Sequence, residues 1–304
     1  MLTLSNVRKS FGQLVAVNGL SLSVRKGEVF GLLGPNGAGK STTLKLLLNL
    51  LWPTSGRAEV LGQPPGSADA RRRLGFLPET PAFYDYLTAE ELILYFAGLC
   101  GLSSNDARRR TVEVLDLVGL GAERRRPLRQ FSKGMLQRVG LAQALVHEPE
   151  LVILDEPMSG LDPVGRREVR EIILGLGAQG RTVLFSSHIL SDAELLCRRV
   201  AILAHGSVVA AGPVSELTAT RGPGARGWDV VVTGVSPELA HRLQGRFAKV
   251  RAIADTRFAI EVPAADRPET LIGELAAAGA SLISVTPTSA TLEDVFMGAV
   301  QEQP

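Results

Sequence analysis

The densest chemistry in the sequence lies near its N-terminus, where Gly34, Pro35, Asn36, Gly37, Ala38, Gly39, Lys40, Ser41 and Thr42 fit the pattern G-x-x-x-x-G-K-[ST]. Glycines at that spacing let backbone N–H groups converge on an anion with no Cβ in the way. A helix opening at Lys40 adds the partial positive charge of its N-terminus. In that arrangement Lys40 reaches the β- and γ-phosphates of ATP, and the Ser41 hydroxyl coordinates Mg²⁺. A glycine-rich turn without function is the alternative. It leaves unexplained the strand-like run before the loop and the helical pattern after it.

Two further constellations sit at strand ends. Leu151 to Leu154 form a short apolar run followed by Asp155 and Glu156, which puts two carboxylates where ligands of open α/β sheets bind. Asp155 is the candidate to hold Mg²⁺ through its water shell, and Glu156 the candidate general base for an attacking water. Taken alone, the pair reads equally well as a helix cap; beside a phosphate loop it reads as catalytic. His188 follows the strand-like Val183 to Phe185 and the pair Ser186-Ser187. A lone histidine is more often structural, but one ending a neighbouring strand is placed to touch the γ-phosphate and the attacking water.

The elements needed to position these groups are legible as patterns. Strand-like stretches at residues 2–7, 20–24 and 29–33 precede a helical pattern from Lys40 to Leu51, and further strands are expected at 58–61 and 74–77. From Thr88 to about Leu120 the chain reads as helical, with Thr88 and Glu91 spaced as a capping box, so a helical insert is expected at about 82–147. Buried parallel strands then return at 151–154, 183–186 and 200–203, giving βαβ units, followed by a strand at 208–211 and a helix at 214–219. The expected fold class is α/β, a phosphate-loop NTPase spanning 1–220. The Gly/Pro-rich residues 221–227 read as a linker. Residues 228–304 read as a small α+β accessory domain in the order βαββαβ of the ferredoxin-like unit, closed by a helix at 292–300 with Thr291 as its N-cap.

Composition narrows the class. With 304 residues, 45% of them apolar, and 33 basic against 31 acidic side chains, neither disorder nor general nucleic-acid affinity is expected. Arg71 to Arg73, Arg108 to Arg110 and Arg124 to Arg126 have acids nearby and read as solvated faces. Contact of the latter two with a membrane partner stays open. Cys100 and Cys197 show no metal spacing and read as reduced, structural thiols. No apolar run approaches the roughly 18 residues of a membrane span, and the first residues lack a secretory pattern, so the cytosol is the expected location.

Phe131-Ser132-Lys133-Gly134-Met135, upstream of Asp155, resembles the signature motif of ABC ATPases, and Ser159-Gly160-Leu161-Asp162 resembles that family's D-loop. With the phosphate loop, Glu156 and His188, these segments run in the family's order from residue 1 to about 218. The resemblance implies that the chain is the ATP-hydrolysing subunit of an ABC transporter. Phe11 stands where the family stacks adenine, and Phe11 and Val17 join the expected nucleotide contacts. Two such subunits, identical or paralogous, pair head to tail, so that Ser132, Lys133, Gly134 and Asp162 of one complete the site at Lys40 of the other. Hydrolysis then drives separate membrane-spanning subunits through the helical insert, from the cytoplasmic face of the membrane.

Two positions depart from the family pattern. Glu79 stands where most members carry Gln and is a candidate Mg²⁺ ligand, and Lys133-Gly134-Met135 replaces the usual Gly-Gly-Gln. Both departures, with Thr291 to Phe296, resemble the exporter branch whose membrane domains are separate chains. An appended domain of this kind stabilises a dimer or regulates it. The rival class is a soluble ABC-type ATPase acting on nucleic acid or ribosomes, whose members usually carry two ATPase units or long coiled coils. Neither pattern is present. A GTPase or kinase would leave the Ser132 and His188 segments unused, and no Asn-Lys-x-Asp motif occurs.

Overall fold

Alternating apolar residues at the start of the chain produce a strand with one buried face. In the computed structural model, which describes residues 1–219, 227–263, 266, 268–288 and 291–301, β1 (Leu2–Phe11) buries Leu2 and Leu4 while their neighbours face outward. Asn6, at φ 47°, lies where the pairing register shifts and returns Val7 to the buried side. β1 lies between β2 (Leu14–Val24) and β4 (Ser55–Val60) in a three-stranded antiparallel sheet.

The second sheet carries the chemistry. It holds β3 (Val29–Leu33), β5 (Leu74–Leu77), β6 (Leu151–Leu154), β7 (Thr182–Ser187), β8 (Arg199–Ala204) and β9 (Ser207–Pro213). Its order is β5-β6-β7-β3-β8-β9, parallel except for β9. Every residue of β6 and β7 is buried, as expected of strands covered on both faces. α1 (Lys40–Leu47) contributes Leu44, Leu46 and Leu47 to a core shared with Leu2, Leu4, Phe30, Leu32, Ile153 and Leu184.

α1 ends before the Leu51 its apolar pattern suggests. Asn49 adopts the left-handed conformation, φ 56°, and the Asn49 and Leu50 N–H groups donate back to Leu46 and Lys45 carbonyls. This is a Schellman stop with Asn in the usual glycine position. Apolar periodicity does not register such a stop.

After α2 (Ala68–Arg72) and β5 the chain turns helical: α3 (Ala89–Leu99), α4 (Ser104–Leu117), a 3-10 turn at Leu128–Gln130 and α5 (Lys133–Leu145). Thr88 and Glu91 form the capping box of α3. The hydrogen bonds from Thr88 hold the Glu91 carboxyl below its usual range. α6 (Pro163–Ala178), α7 (Leu190–Leu196) and α8 (Val214–Ala219) complete this part of the chain. The arginine runs pair locally: Arg73 with Asp69 and Glu150, Arg109 and Arg110 with Glu113, Arg124 and Arg125 with Glu90. Cys197 is buried, which pushes its thiol pKa up, whereas Cys100 is exposed.

The chain divides into two compact units, Met1–Val214 with residues 296–301, and Ser215–Val295. Of the linker expected at 221–227, all but Gly227 lies outside the described residues. The second unit runs β10 (Gly227–Thr233), α9 (Pro237–Arg246), β11 (Val250–Ala254), β12 (Arg257–Pro263), α10 (Pro268–Ala277) and β13 (Ser281–Thr288), before α11 (Leu292–Gln301) ends the described chain. Its four strands are antiparallel in the order β11-β12-β10-β13. Val230, Val232, Ile260 and Val262 pack with Leu239, Leu243, Leu271 and Leu275 in a core of its own.

Candidate active site

The loop after β3 takes its shape from contacts only glycine tolerates. A Cβ on Gly34, φ 146°, would sit 2.3 Å from the Leu203 carbonyl oxygen, and one on Gly39, φ 100°, 2.5 Å from that of Ala16. Neither neighbour can retreat, because both are backbone. The Gly34 N–H donates to the Ser187 carbonyl at 3.2 Å, fastening the loop to the end of β7. Gly39 forms the N-cap of α1.

Lys40, only 5% exposed, folds back over this loop. Its Nζ donates to the Gly34 and Pro35 carbonyls at 2.7 and 3.2 Å and lies 3.1 Å from Glu156 Oε1. Asp155 and Glu156 follow β6 and are both buried. Asp155 Oδ1 accepts from the Ser41 hydroxyl at 3.3 Å and from the Ser186 hydroxyl at 2.6 Å. Glu156 takes φ 46°, costly for a side chain of its size. Its N–H donates to Ser186 Oγ at 2.8 Å.

His188 closes the cluster from the end of β7. Its Nδ1 lies 2.8 Å from Glu156 Oε2, and its backbone N–H approaches the same oxygen at 3.3 Å. Opposite an ionised carboxylate, which only accepts, Nδ1 carries the proton, and in the neutral ring Nε2 is the acceptor. Ammonium, carboxylate and imidazole thus form one chain of contacts across the ends of β3, β6 and β7.

A cavity of about 640 Å³ opens onto this chain. It is lined by Pro35, Asn36, Gly37, Gly39, Lys40, Ser41, Thr42, Glu79 and Glu156, with Phe11 at its rim. Phe11 is exposed, and the Lys9 ammonium sits 4.9 Å from its ring centre. Gly34 and Ala38 belong to the loop but do not line the cavity. Val17 departs from expectation: it is fully buried in the core, and the cavity is lined instead by Leu14, Val15 and Ala16. Val17 pairs with Lys9 beside shifts in the β1–β2 register, where the alternation that buries Leu20, Leu22 and Val24 is interrupted. His205, in the turn between β8 and β9 at φ 47°, also lines the cavity. Its spacing from the motifs gives no signal, since tertiary folding alone brings it there.

Ser132, Lys133, Gly134 and Asp162 do not line this cavity. Ser132 is the N-cap of α5, accepting from the Met135 N–H at 3.2 Å, and Asp162 caps α6 through Gly165 N–H at 2.9 Å. The Lys133 side chain lies across the D-loop of its own chain, so close that a Cβ on Gly160 would collide with its Nζ.

Ser41 and Glu79 put oxygen donors on the cavity wall, and Asp155 stands beside them, bonded to the Ser41 hydroxyl. Ser41, Asp155 and Glu79 supply a hydroxyl and two carboxyls, the hard ligands that suit Mg²⁺, an ion that completes its shell with water and phosphate rather than an all-protein cage. Consistently, no cluster of three or more His, Cys, Asp or Glu able to hold a metal alone occurs among the described residues. No helix among them is long and apolar enough to cross a membrane.

The comparisons with known proteins agree with this geometry. Residues 17–159 match the family described as ABC transporter. The chain is 43% identical over 286 residues, 93% of its length and 78% of the relative's, to the uncharacterised ABC transporter ATP-binding protein sll0415 of Synechocystis. It is 36% identical, over 96% of its own length and 94% of the relative's, to the Nod factor export ATP-binding protein I of Burkholderia orbicola. A solved ATP-binding subunit of an ABC transporter superposes with a TM-score of 0.66 at 34% identity, covering 73% of this chain and 94% of that one. A phosphate loop and Glu156 line one cavity, with Asp155 bonded to Ser41 and His188 to Glu156 beside it, an arrangement such an ATPase requires, and the chain belongs to the ABC transporter family as an ATP-binding, ATP-hydrolysing subunit.

Proposed function

We propose that this ATPase drives export through separate membrane-spanning subunits, working as a head-to-tail pair with a second copy or a paralogue on the cytoplasmic face of the membrane. The observation that carries the reading is the chain Lys40–Glu156–His188 at the ends of three neighbouring strands, with both contacts at or below 3.1 Å. The export names among its relatives support the direction.

In this reading the loop amides of residues 34–42 hold the phosphates and Lys40 neutralises charge on the β- and γ-groups. Glu156 takes the proton of the attacking water, and His188, hydrogen-bonded to Glu156, orients that carboxylate. Ser41, Asp155 and Glu79 hold Mg²⁺, which supplies charge neutralisation on the triphosphate. Phe11 stacks on the base. Ser132, Lys133, Gly134 and Asp162 act on the nucleotide of the partner subunit, which accounts for their absence from the cavity wall of their own chain. The ATPase domain spans 1–220. Residues 228–304 form a ferredoxin-like accessory domain, a reading supported by the strand order β11-β12-β10-β13.

Two experiments test this. Glu156→Gln retains ATP binding, loses hydrolysis by at least about a hundredfold and accumulates an ATP-bound dimer; turnover at the parental rate removes Glu156 as the base. Purification from membranes recovers the chain with a multispanning partner, and recovery only with ribosomes or DNA overturns the transporter reading.

A further inference from the structure

We propose that Ser186 is a positioning residue for both carboxylates of the site, an inference that rests on the roles given above to Asp155 and Glu156. Ser186 is fully buried near the end of β7, and its hydroxyl makes two hydrogen bonds of fixed direction. The Glu156 backbone N–H can only donate, so Ser186 Oγ accepts there at 2.8 Å. The single hydroxyl proton is therefore committed to Asp155 Oδ1, at 2.6 Å.

Each bond constrains something the chemistry needs. The first ties down Glu156 where its backbone occupies the left-handed region, φ 46°, a conformation that persists only when neighbours over-determine it. It thereby sets the direction from which the carboxylate meets Lys40 and His188. The second fixes the rotation of the Asp155 carboxyl, since Ser41 donates to the same oxygen. Hydrogen-bond partners behind a metal-binding carboxylate tune it in this way, and their loss typically costs about 10–100-fold in metal affinity or activity. Ser186 also sits two residues before His188, which directly follows β7. One hydroxyl consequently registers β7 and its histidine against the carboxylates after β6.

The test is Ser186→Ala in the full chain, read in two ways. Steady-state hydrolysis should lose about 10–100-fold in kcat with KM for ATP changed less than about threefold. Binding of a fluorescent ATP analogue, titrated with MgCl₂ and separately in EDTA, should show the half-saturating Mg²⁺ concentration rising about tenfold while metal-free binding is retained. A side chain that merely fills space would leave that Mg²⁺ dependence unchanged. Parental kcat and parental Mg²⁺ dependence together overturn the proposal. If the alanine variant folds poorly, Ser186→Cys, nearly equal in size but a weak donor and acceptor, decides on the same two criteria. Glu156→Gln measured alongside separates the two readings. If it hydrolyses ATP normally, the base assignment fails, while the Mg²⁺ titration of Ser186→Ala still judges the role assigned here.

Discussion

The cavity at Lys40 and the segment from Ser132 to Gly134 belong to one compact unit and meet opposite fates. At the cavity, buried polar side chains are bonded to specific partners: Lys40 to Glu156, Ser186 to Asp155, and Glu156 to the more exposed His188. At the signature segment, Ser132 and Lys133 are exposed, and the Ser132 hydroxyl is bonded to its own helix start. Polar groups held in the interior must be satisfied by specific partners, so the first region is rigid and built from three strands. The second has only local obligations, which a helix cap meets. Under the proposed head-to-tail pairing, it is the surface a second subunit would share.

The contrast can be broken or sharpened by substitution, beginning with the largest effects. Lys40→Ala should lower ATPase activity by three orders of magnitude or about that, in line with the loss of a charge that stabilises the transition state in a sheltered site, and should weaken ATP binding, measured by filter binding. Ser132→Arg should abolish hydrolysis yet leave binding of ATP to isolated subunits unchanged in the same assay. Mixing the two variants sharpens the division: a pair with one of each retains one intact composite site and should regain activity that neither has alone. No recovery in the mixture would mean that Lys40 and Ser132 do not serve one site in trans.

Smaller effects test the walls of the cavity. Val17→Ala should cost about 1–3 kcal/mol of stability in urea unfolding, as a buried aliphatic truncation, with KM for ATP unchanged; a KM effect without a stability effect would restore Val17 as a contact. Thr88→Ala, in the insert, should cost about 1 kcal/mol through loss of an N-cap. Its pH signature follows from Glu91. Because hydrogen bonds from Thr88 hold that carboxyl low in the folded state, its contribution is present above the unfolded carboxyl range and is lost as pH falls through the depressed value. Thermal melts at falling pH should therefore narrow the gap between parent and variant only in part, because the backbone N–H of residue 88 still donates to Glu91 in the variant and the lost bond from Glu91 N–H to Thr88 Oγ1 does not titrate.

Much of this was readable before folding. The phosphate loop announces itself because phosphate binding demands consecutive backbone amides, a local requirement that leaves a contiguous pattern. Asp155, Glu156 and His188 were readable because strand ends are marked by short apolar runs. Val17 was misjudged because its inward direction depends on the register of β2 with β1, which is not a property of residue type. The early end of α1 was missed because an Asn stop resembles any polar residue in a helix. His205 and Ser186 gave no signal, since the first reaches the cavity through a turn between distant strands and the second matters only through a neighbour on another strand.

From sequence alone, residue order and spacing determined the family and marked the phosphate loop, Asp155, Glu156 and His188 as candidates for its chemistry, because each lies in a short contiguous motif. Only the tertiary structure decided how those groups face one another. The 3.1 Å approach of Lys40 to Glu156, the 2.8 Å approach of His188 Nδ1 to the same carboxylate and the two hydrogen bonds of the Ser186 hydroxyl arise from parallel pairing of β3, β7 and β6. Strand pairing joins β3 to β7, residues more than a hundred positions apart in the chain, a relation to which local pattern is blind.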